Sequence, residues 1–246
     1  MSKSSRSYQR KDRFFNKAKE DKFVARSVYK LDELDRRYGI LEKNQTVVDL
    51  GCAPGSWLQY VTGKLGKKGL AVGYDIVPVE VNLGPRADTF VADVFALSPI
   101  RIWTDLARLA ARPTEGEVPD VDTLVKRPPR VDAVISDMAP KLTGIRDADQ
   151  AKSVTIVSGG LRLAQAMLPI DKGVFVAKLF QGRDTDELVL DVKKAFREVK
   201  LLKPEATREG SREVFVLARR LRPEGRIPPW EPEPEPADFD PIDDAD

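Results

Sequence analysis

The stretch VVDLGCAPGSWLQYV, residues 47–61, decides the fold. Val47, Val48 and Leu50 form a short apolar run of the kind that makes a strand buried on both faces. Asp49, Gly51, Pro54 and Gly55 then make a bare turn, and Trp57, Leu58, Tyr60 and Val61 resume at helical spacing. Strand, turn and helix in that order open a parallel α/β sheet. The two glycines let the backbone come close to a ligand, and the helix after them aims free N–H groups at it. Their spacing is G-x-x-x-G rather than the G-x-G-x-x-G that grips dinucleotide phosphates, so a ligand with less phosphate is preferred and a nicotinamide dinucleotide is disfavoured.

Outward from this turn the pattern repeats. TVVDLG, LAVGYDI, TFVADVF, VDAVISDM and GVFVAKLF read as strands. WLQYVTGKL, VTIVSGGLRLAQAML and DELVLDVKKAF read as the helices between them. REVKLLKP and REVFVLARRL, joined by the polar turn EATREGS, read as a closing hairpin at the sheet's end. Upstream, Val28, Leu31, Leu34 and Tyr38 fall at helical spacing with Gly39 as a stop, and Lys30 lies off that stripe. The expectation is an α/β fold with a mostly parallel sheet and helices on both faces.

The 246 residues suit one domain with extensions. A basic N-terminal RNA-binding arm is expected over residues 1–26, a central domain over 27–222 and an acidic, Pro-rich, disordered tail over 223–246. Residues 111–130 read as a long Pro-rich loop. From Glu224 onward nine acids face one base, so the overall charge of +2 leaves +10 on residues 1–223. A body that basic suits a polyanion such as nucleic acid. The absence of histidine removes imidazole bases and histidine metal ligands, and with one cysteine no metal site is expected. The polar N-terminus, the lack of a long apolar run and the lone Cys52 point to a cytoplasmic protein without membrane association, by default a monomer.

In a parallel sheet, ligands sit beyond the carboxyl ends of the strands. Asp49 and Gly51, Asp75, Asp93, Asp137 and Lys178 fall at five successive strand ends. Any one alone is more often a helix cap or a solvated residue. Asp75, twenty residues past Gly55, stands where an acid accepts ribose hydroxyls, and Asp93 where one receives an adenine amino group. A nucleoside with a charged amino-acid end, such as S-adenosylmethionine, fits that layout.

With ARSVYKL, DLGCAPGSWLQYV, SDMAP, AKLFQG and KPEATREGSREVFVLA taken together, the sequence resembles the FtsJ/RrmJ family of S-adenosylmethionine-dependent RNA 2′-O-methyltransferases over most of its length. The resemblance implies a Rossmann-like methyltransferase sheet of seven strands, mostly parallel, with a terminal antiparallel strand. It also implies a catalytic tetrad of Lys30, Asp137, Lys178 and Glu213. An antiparallel strand starts where its parallel neighbours end, which independently puts Glu213 beside Asp137 and Lys178. For the cofactor the resemblance implies Gly51, Gly55, Trp57, Asp75 and Asp93, with Asp137 near the reacting end. The implied target is a uridine of 23S ribosomal RNA in the large (50S) subunit during late assembly, reached through the basic arm, Arg26, Lys30 and Lys141. Transfer RNA or another RNA is the alternative target, and a non-catalytic RNA-binding assembly factor the alternative role. With no histidine to act, Lys178 is the expected general base.

Overall fold

The computed structural model describes residues 14–112, 118–208 and 210–230. Seven strands, β1 (Thr46–Leu50), β2 (Leu70–Asp75), β3 (Ala87–Val91), β4 (Ala133–Ser136), β5 (Val174–Phe180), β6 (Phe196–Leu202) and β7 (Glu213–Leu221), form one sheet in the order β3-β2-β1-β4-β5-β7-β6. β1 to β5 pair in parallel, and β7 runs antiparallel to both β5 and β6. The closing hairpin is present, with β7 tucked inside and β6 at the edge. β6 carries Arg197, Glu198 and Lys200, and a charged edge strand resists pairing with another chain.

The order fixes where a ligand can sit. The chain runs from β1 out through β2 to β3, then crosses back to lay β4 on the other side of β1. At such a reversal the two flanking connections leave toward opposite faces and open a crevice at the strands' carboxyl ends. Gly51 lies on one lip of that crevice and Asp137 on the other, while Asp49 is buried in β1.

Side-chain alternation divides the sheet between two cores. On one face Val47, Ala133, Ile135, Val176 and Phe215 pack under α1 (Val28–Tyr38) and α2 (Ser56–Leu65), which contribute Val28, Leu31, Leu34, Leu58 and Val61. On the other, Val48, Val134, Phe175 and Val216 meet α3 (Pro99–Ala111), α4 (Val121–Lys126), α5 (Arg146–Met167) and α6 (Thr185–Ala195). Each fully buried Leu, Val or Phe here is worth roughly 1.5–3 kcal/mol relative to exposure. Gly39 ends α1 as expected, at φ 60°, and its N–H bonds the Asp35 carbonyl at 2.7 Å.

Four expectations change in detail. The segment 111–130 is not a plain loop: α3 continues to Ala111, and Asp120 caps α4 by accepting the Thr123 N–H at 2.7 Å. A six-residue helix that buries only Leu124 has too little periodicity to be read from sequence. α5 starts at Arg146, eight residues before the apolar pattern does, because its first turns bury Asp149, Gln150 and Ser153. Asp149 accepts the N–H groups of Thr143 and Gly144, and Ser153 accepts that of Phe180, so these two face the interior satisfied, while Gln150 Nε2 has no hydrogen-bond partner. β3 spans Ala87–Val91, ending before Asp93. The tail expected from residue 223 is packed through Trp230: Gln165 bonds the Gly225 carbonyl at 2.8 Å, and Ile227 and Trp230 lie against the core.

Of the basic arm, residues 14–20 are helical, Ala18 is buried, and Phe14 and Phe23 pack on Tyr29. Residues 1–13 and 231–246 of the arm and tail lie outside the described residues. Among the described residues no helix is long and apolar enough to cross a membrane.

Candidate active site

The four predicted tetrad residues meet at the carboxyl rim of the sheet, on the face covered by α1 and α2. Lys178 shares the strand face of Val176, and Glu213 that of Phe215 and Leu217, because side chains two apart point the same way. The β5–β7 register sets Lys178 opposite Phe215 and Glu213 opposite Phe180. α1 crosses above them, and Lys30, off its apolar stripe, reaches down. Lys30 Nζ stands 2.5 Å from Glu213 Oε1 and 3.9 Å from Asp137 Oδ1. Lys178 Nζ is 3.1 Å from the same Asp137 oxygen and donates to the Asp137 carbonyl. All four side chains are 10–17% exposed, so the cluster opens to solvent by a narrow mouth.

Next to this cluster lies a cleft of about 380 Å³ at the β1/β4 reversal. Gly51, Asp75, Asp93 and Asp137 line it together with Ile76 and Phe95. Asp137 therefore belongs to both cleft and tetrad. Asp75 accepts the Ala53 N–H through Oδ2 (2.9 Å) and the Val77 N–H through Oδ1 (3.0 Å). A carboxylate has about four acceptor sites, so two remain for a ligand's hydroxyls. Asp93, which lines the cleft, caps a short 3₁₀ turn by accepting the Phe95 N–H at 3.0 Å through Oδ1.

The turn between β1 and α2 is held by β2: the Gly51 and Cys52 N–H groups both bond the Tyr74 carbonyl. Gly51 sits at φ 76°, and a Cβ there would meet Met138 Cγ at 2.2 Å, so a side chain would collide with the opposite lip of the cleft. Gly55, at φ 106°, caps α2; a Cβ there would touch Val79 Cγ1 at 2.9 Å. Gly55 is not itself among the cleft-lining residues.

Trp57 departs further from expectation. Its indole is buried against Phe215, with ring centroids 5.9 Å apart, and Nε1 donates to the Ser27 carbonyl at 3.0 Å. It packs against α1 and β7 rather than lining the cleft, because the first turn of α2 faces α1. Phe215, against which it packs, has its ring 5.8 Å from Lys30 Nζ.

Several residues without a role in the sequence-based expectation matter here. Phe215 could have been found from its spacing, two residues past Glu213 on the same strand face. Ile76 and Phe95 are apolar yet 70% and 57% exposed, each beside a cleft carboxylate. Asp49 stands out in the sequence only as a strand-end acid. It is 1% exposed, and neither carboxylate oxygen has a hydrogen-bond partner. Burial above all, then the charges of Asp137 and Asp75, hold its pKa well above the ordinary carboxylate range. Cys52 is buried, and burial likewise pushes its thiol up, so it behaves as a packing residue.

A family model described as FtsJ-like methyltransferase matches residues 23–221. A protein of Syntrophobacter fumaroxidans named ribosomal RNA large subunit methyltransferase E is 40% identical over 216 residues, 88% of this chain and 98% of the relative. One of the same name from Bdellovibrio bacteriovorus is 39% identical over 210 residues, covering 85% and 96%. The crystal structure of a ribosomal RNA methyltransferase from Plasmodium falciparum superposes with a TM-score of 0.61 at 23% identity, covering 81% of this chain and 98% of that one, which speaks to the fold. A match over nearly the whole described sheet, with relatives of almost equal length, places this chain in the FtsJ-like methyltransferase family.

Proposed function

We propose that the protein transfers a methyl group from S-adenosylmethionine to the 2′-hydroxyl of a ribose in large-subunit ribosomal RNA, a uridine by the family resemblance, and acts in late subunit assembly. The observation that carries this reading is that Asp137 belongs at once to a nucleoside-sized cleft and to a cluster of two amines and two carboxylates. The relatives named for ribosomal RNA support the choice of substrate.

The residues fit the cofactor. Asp75 and Asp137 line the cleft and both act on the buried Asp49, which has no cation against it among the described residues. Such a carboxylate group suits a ligand carrying positive charge, and Asp75 and Asp93 offer acceptors for ribose and adenine. Ile76 and Phe95 supply apolar walls for a flat ring. When bound, S-adenosylmethionine supplies an electrophilic methyl group on a sulfonium sulfur.

The chain's own residues then have distinct tasks. Lys178 Nζ, 3.1 Å from Asp137 Oδ1, accepts the proton of the attacking hydroxyl. Glu213 holds Lys30 at 2.5 Å, and Asp137 bridges the two lysines, so the acids orient the amines. The narrow mouth limits water at the reacting oxygen. Holding hydroxyl and methyl group at reactive distance supplies much of the acceleration.

The test is methyl labelling of ribosomal particles and transfer RNA from a strain lacking this gene, followed by mass mapping of the modified nucleotide. A single ribose methyl on large-subunit RNA is expected. Label on a base, or on transfer RNA alone, overturns the reading.

A further inference from the structure

α1 does not secure its own first turn. The first N–H groups of a helix have no partner within it, and the usual remedy is a side chain at the cap. Ser27 stands at that position but makes no such bond; its hydroxyl pairs instead with the Ser56 hydroxyl at 2.9 Å. Lys30 is the third residue of α1, inside the turn that lacks this cap. Helix ends fray, and a lysine stem has the rotamer freedom to leave its partner. Lys30 Nζ nonetheless stands 2.5 Å from Glu213 Oε1, so groups outside α1 must fix the turn that carries it.

The hold comes from α2, and Trp57 is its centre. The Ser27 carbonyl accepts the N–H of Lys30 itself at 3.0 Å and the Trp57 indole N–H at 3.0 Å. A carbonyl oxygen has two lone pairs and can take both. The same indole packs on Phe215, with centroids 5.9 Å apart, and the Phe215 ring lies 5.8 Å from Lys30 Nζ. One indole thus reaches Lys30 twice, through the carbonyl that binds its backbone and through the ring beside its amine. Two further residues of α2 tie down the chain on either side of Ser27. Gln59 accepts the Val24 N–H at 2.9 Å and donates to the Lys22 carbonyl at 3.3 Å, and the Tyr60 hydroxyl donates to Asp35 at 2.9 Å. Trp57 is 2% exposed and does not line the cleft, so its indole is spent on this contact.

We infer that Trp57 is a positioning residue for methyl transfer: its indole fixes the first turn of α1 and so keeps the Lys30 amine beside Glu213. This rests on the proposed RNA methylation. The indole acts through Lys30 and not on the reacting atoms. Ser56 provides a second, weaker hold on the same Ser27. Because α2 follows directly on Gly55, the group that places Lys30 sits two residues past the turn that shapes the cleft.

The test is Trp57→Phe, which removes the indole N–H but keeps a ring against Phe215. The Ser27 carbonyl retains the Lys30 N–H, so no buried acceptor is stranded. Three quantities are compared with the wild-type protein: single-turnover methyl transfer on large ribosomal particles from a strain lacking the gene, S-adenosylmethionine affinity without RNA, and the rate at which an amine-acylating reagent labels Lys30 and Lys178, read by mass spectrometry. Acylation of Lys30 should rise roughly two- to tenfold, the worth of one hydrogen bond, while that of Lys178 stays unchanged. Methyl transfer should fall by about tenfold or more, since a displacement of about 1 Å at a reacting group can cost about a hundredfold. Cofactor affinity should stay within about threefold. Ser56→Ala should give the same pattern at smaller size, and it decides the matter if Trp57→Phe does not fold. A wild-type rate, or a slowed rate with Lys30 labelled as in the wild type, overturns the role. Equal rises at Lys30 and Lys178 make the indole a general packing group, and a matching loss of cofactor affinity makes it a cofactor ligand; either also overturns it. A wild-type protein that methylates no RNA sinks the functional reading and this role with it, a result told apart from the others by that control.

Discussion

Replacing Lys178 by methionine separates chemistry from architecture. Methionine matches the length of the lysine stem and tolerates the apolar surroundings of β5, while the amine disappears. Two losses follow. Asp137 gives up its partner at 3.1 Å and keeps only Lys30 at 3.9 Å. Removing one partner of a fully buried pair costs about 3–5 kcal/mol, but these side chains retain some solvent, so about 1–2 kcal/mol is a fairer figure. At 2–4 °C per kcal/mol for a domain of this size, the unfolding temperature should fall by about 2–8 °C. The catalytic loss should be larger, since a positioned general base contributes about 10²–10⁴-fold, or about 3–5 kcal/mol of barrier. Because Lys178 does not line the cleft, S-adenosylmethionine affinity should stay within about threefold while single-turnover methyl transfer drops by at least two orders of magnitude. Adding Asp137→Asn should cost little further rate if the acid acts mainly by orienting the lysine. Turnover within tenfold of the wild type, in a variant that folds and binds cofactor, would refute the assignment. A parallel loss of cofactor affinity would move Lys178 from proton acceptor to cofactor ligand.

Asp75→Ala should weaken S-adenosylmethionine binding by about tenfold or more, because it removes the ribose acceptor and also frees the Ala53 and Val77 N–H groups that shape the cleft; unchanged affinity in a calorimetric titration would count against the ribose role. Asp49→Asn should act in opposite directions on stability and binding. The native pKa of Asp49 is raised, so the folded protein holds the proton longer than the unfolded chain, and wild-type stability falls as pH rises from the ordinary carboxylate value toward the raised native one. The variant lacks that loss, so its advantage in unfolding temperature should grow from pH 4 toward neutrality while its cofactor affinity declines. A stability difference that does not vary with pH would show that the carboxylate is not buried as described.

Much of this site was legible because the period of a strand and the length of a turn carry geometry with them. Once Glu213 is read as the first residue of an antiparallel strand, its place beside Asp137 and Lys178 follows from strand direction alone. Lys30 lies off the apolar stripe of α1, and it is the family resemblance that singles it out. What stayed hidden depends on contacts between elements far apart in the chain. The first turns of α5 are polar and still buried, since Asp149 and Ser153 meet backbone N–H groups from a loop and from the end of β5, and no hydrophobic pattern records such satisfaction. Trp57, close behind Gly55, reads as a cofactor residue in the sequence, yet the rotation of α2 is set by α1, which turns the indole toward Ser27 and Phe215.

Asp49 shows why function is harder to read than fold. In sequence it is an acid near a strand end, like Asp75 and Asp93, and ordinary chemistry would have it solvated or capping a helix. In the structure Asp75 and Asp93 do accept backbone N–H groups, while Asp49 is buried with both oxygens unpartnered. An apolar residue of similar size would make the free protein more stable at that position. A carboxylate kept there at a cost, against a cleft sized for a positively charged nucleoside, is best explained by the charge that arrives with the ligand. The cofactor side of the site thus carries an acidic imbalance, and Asp137 joins it to the tetrad.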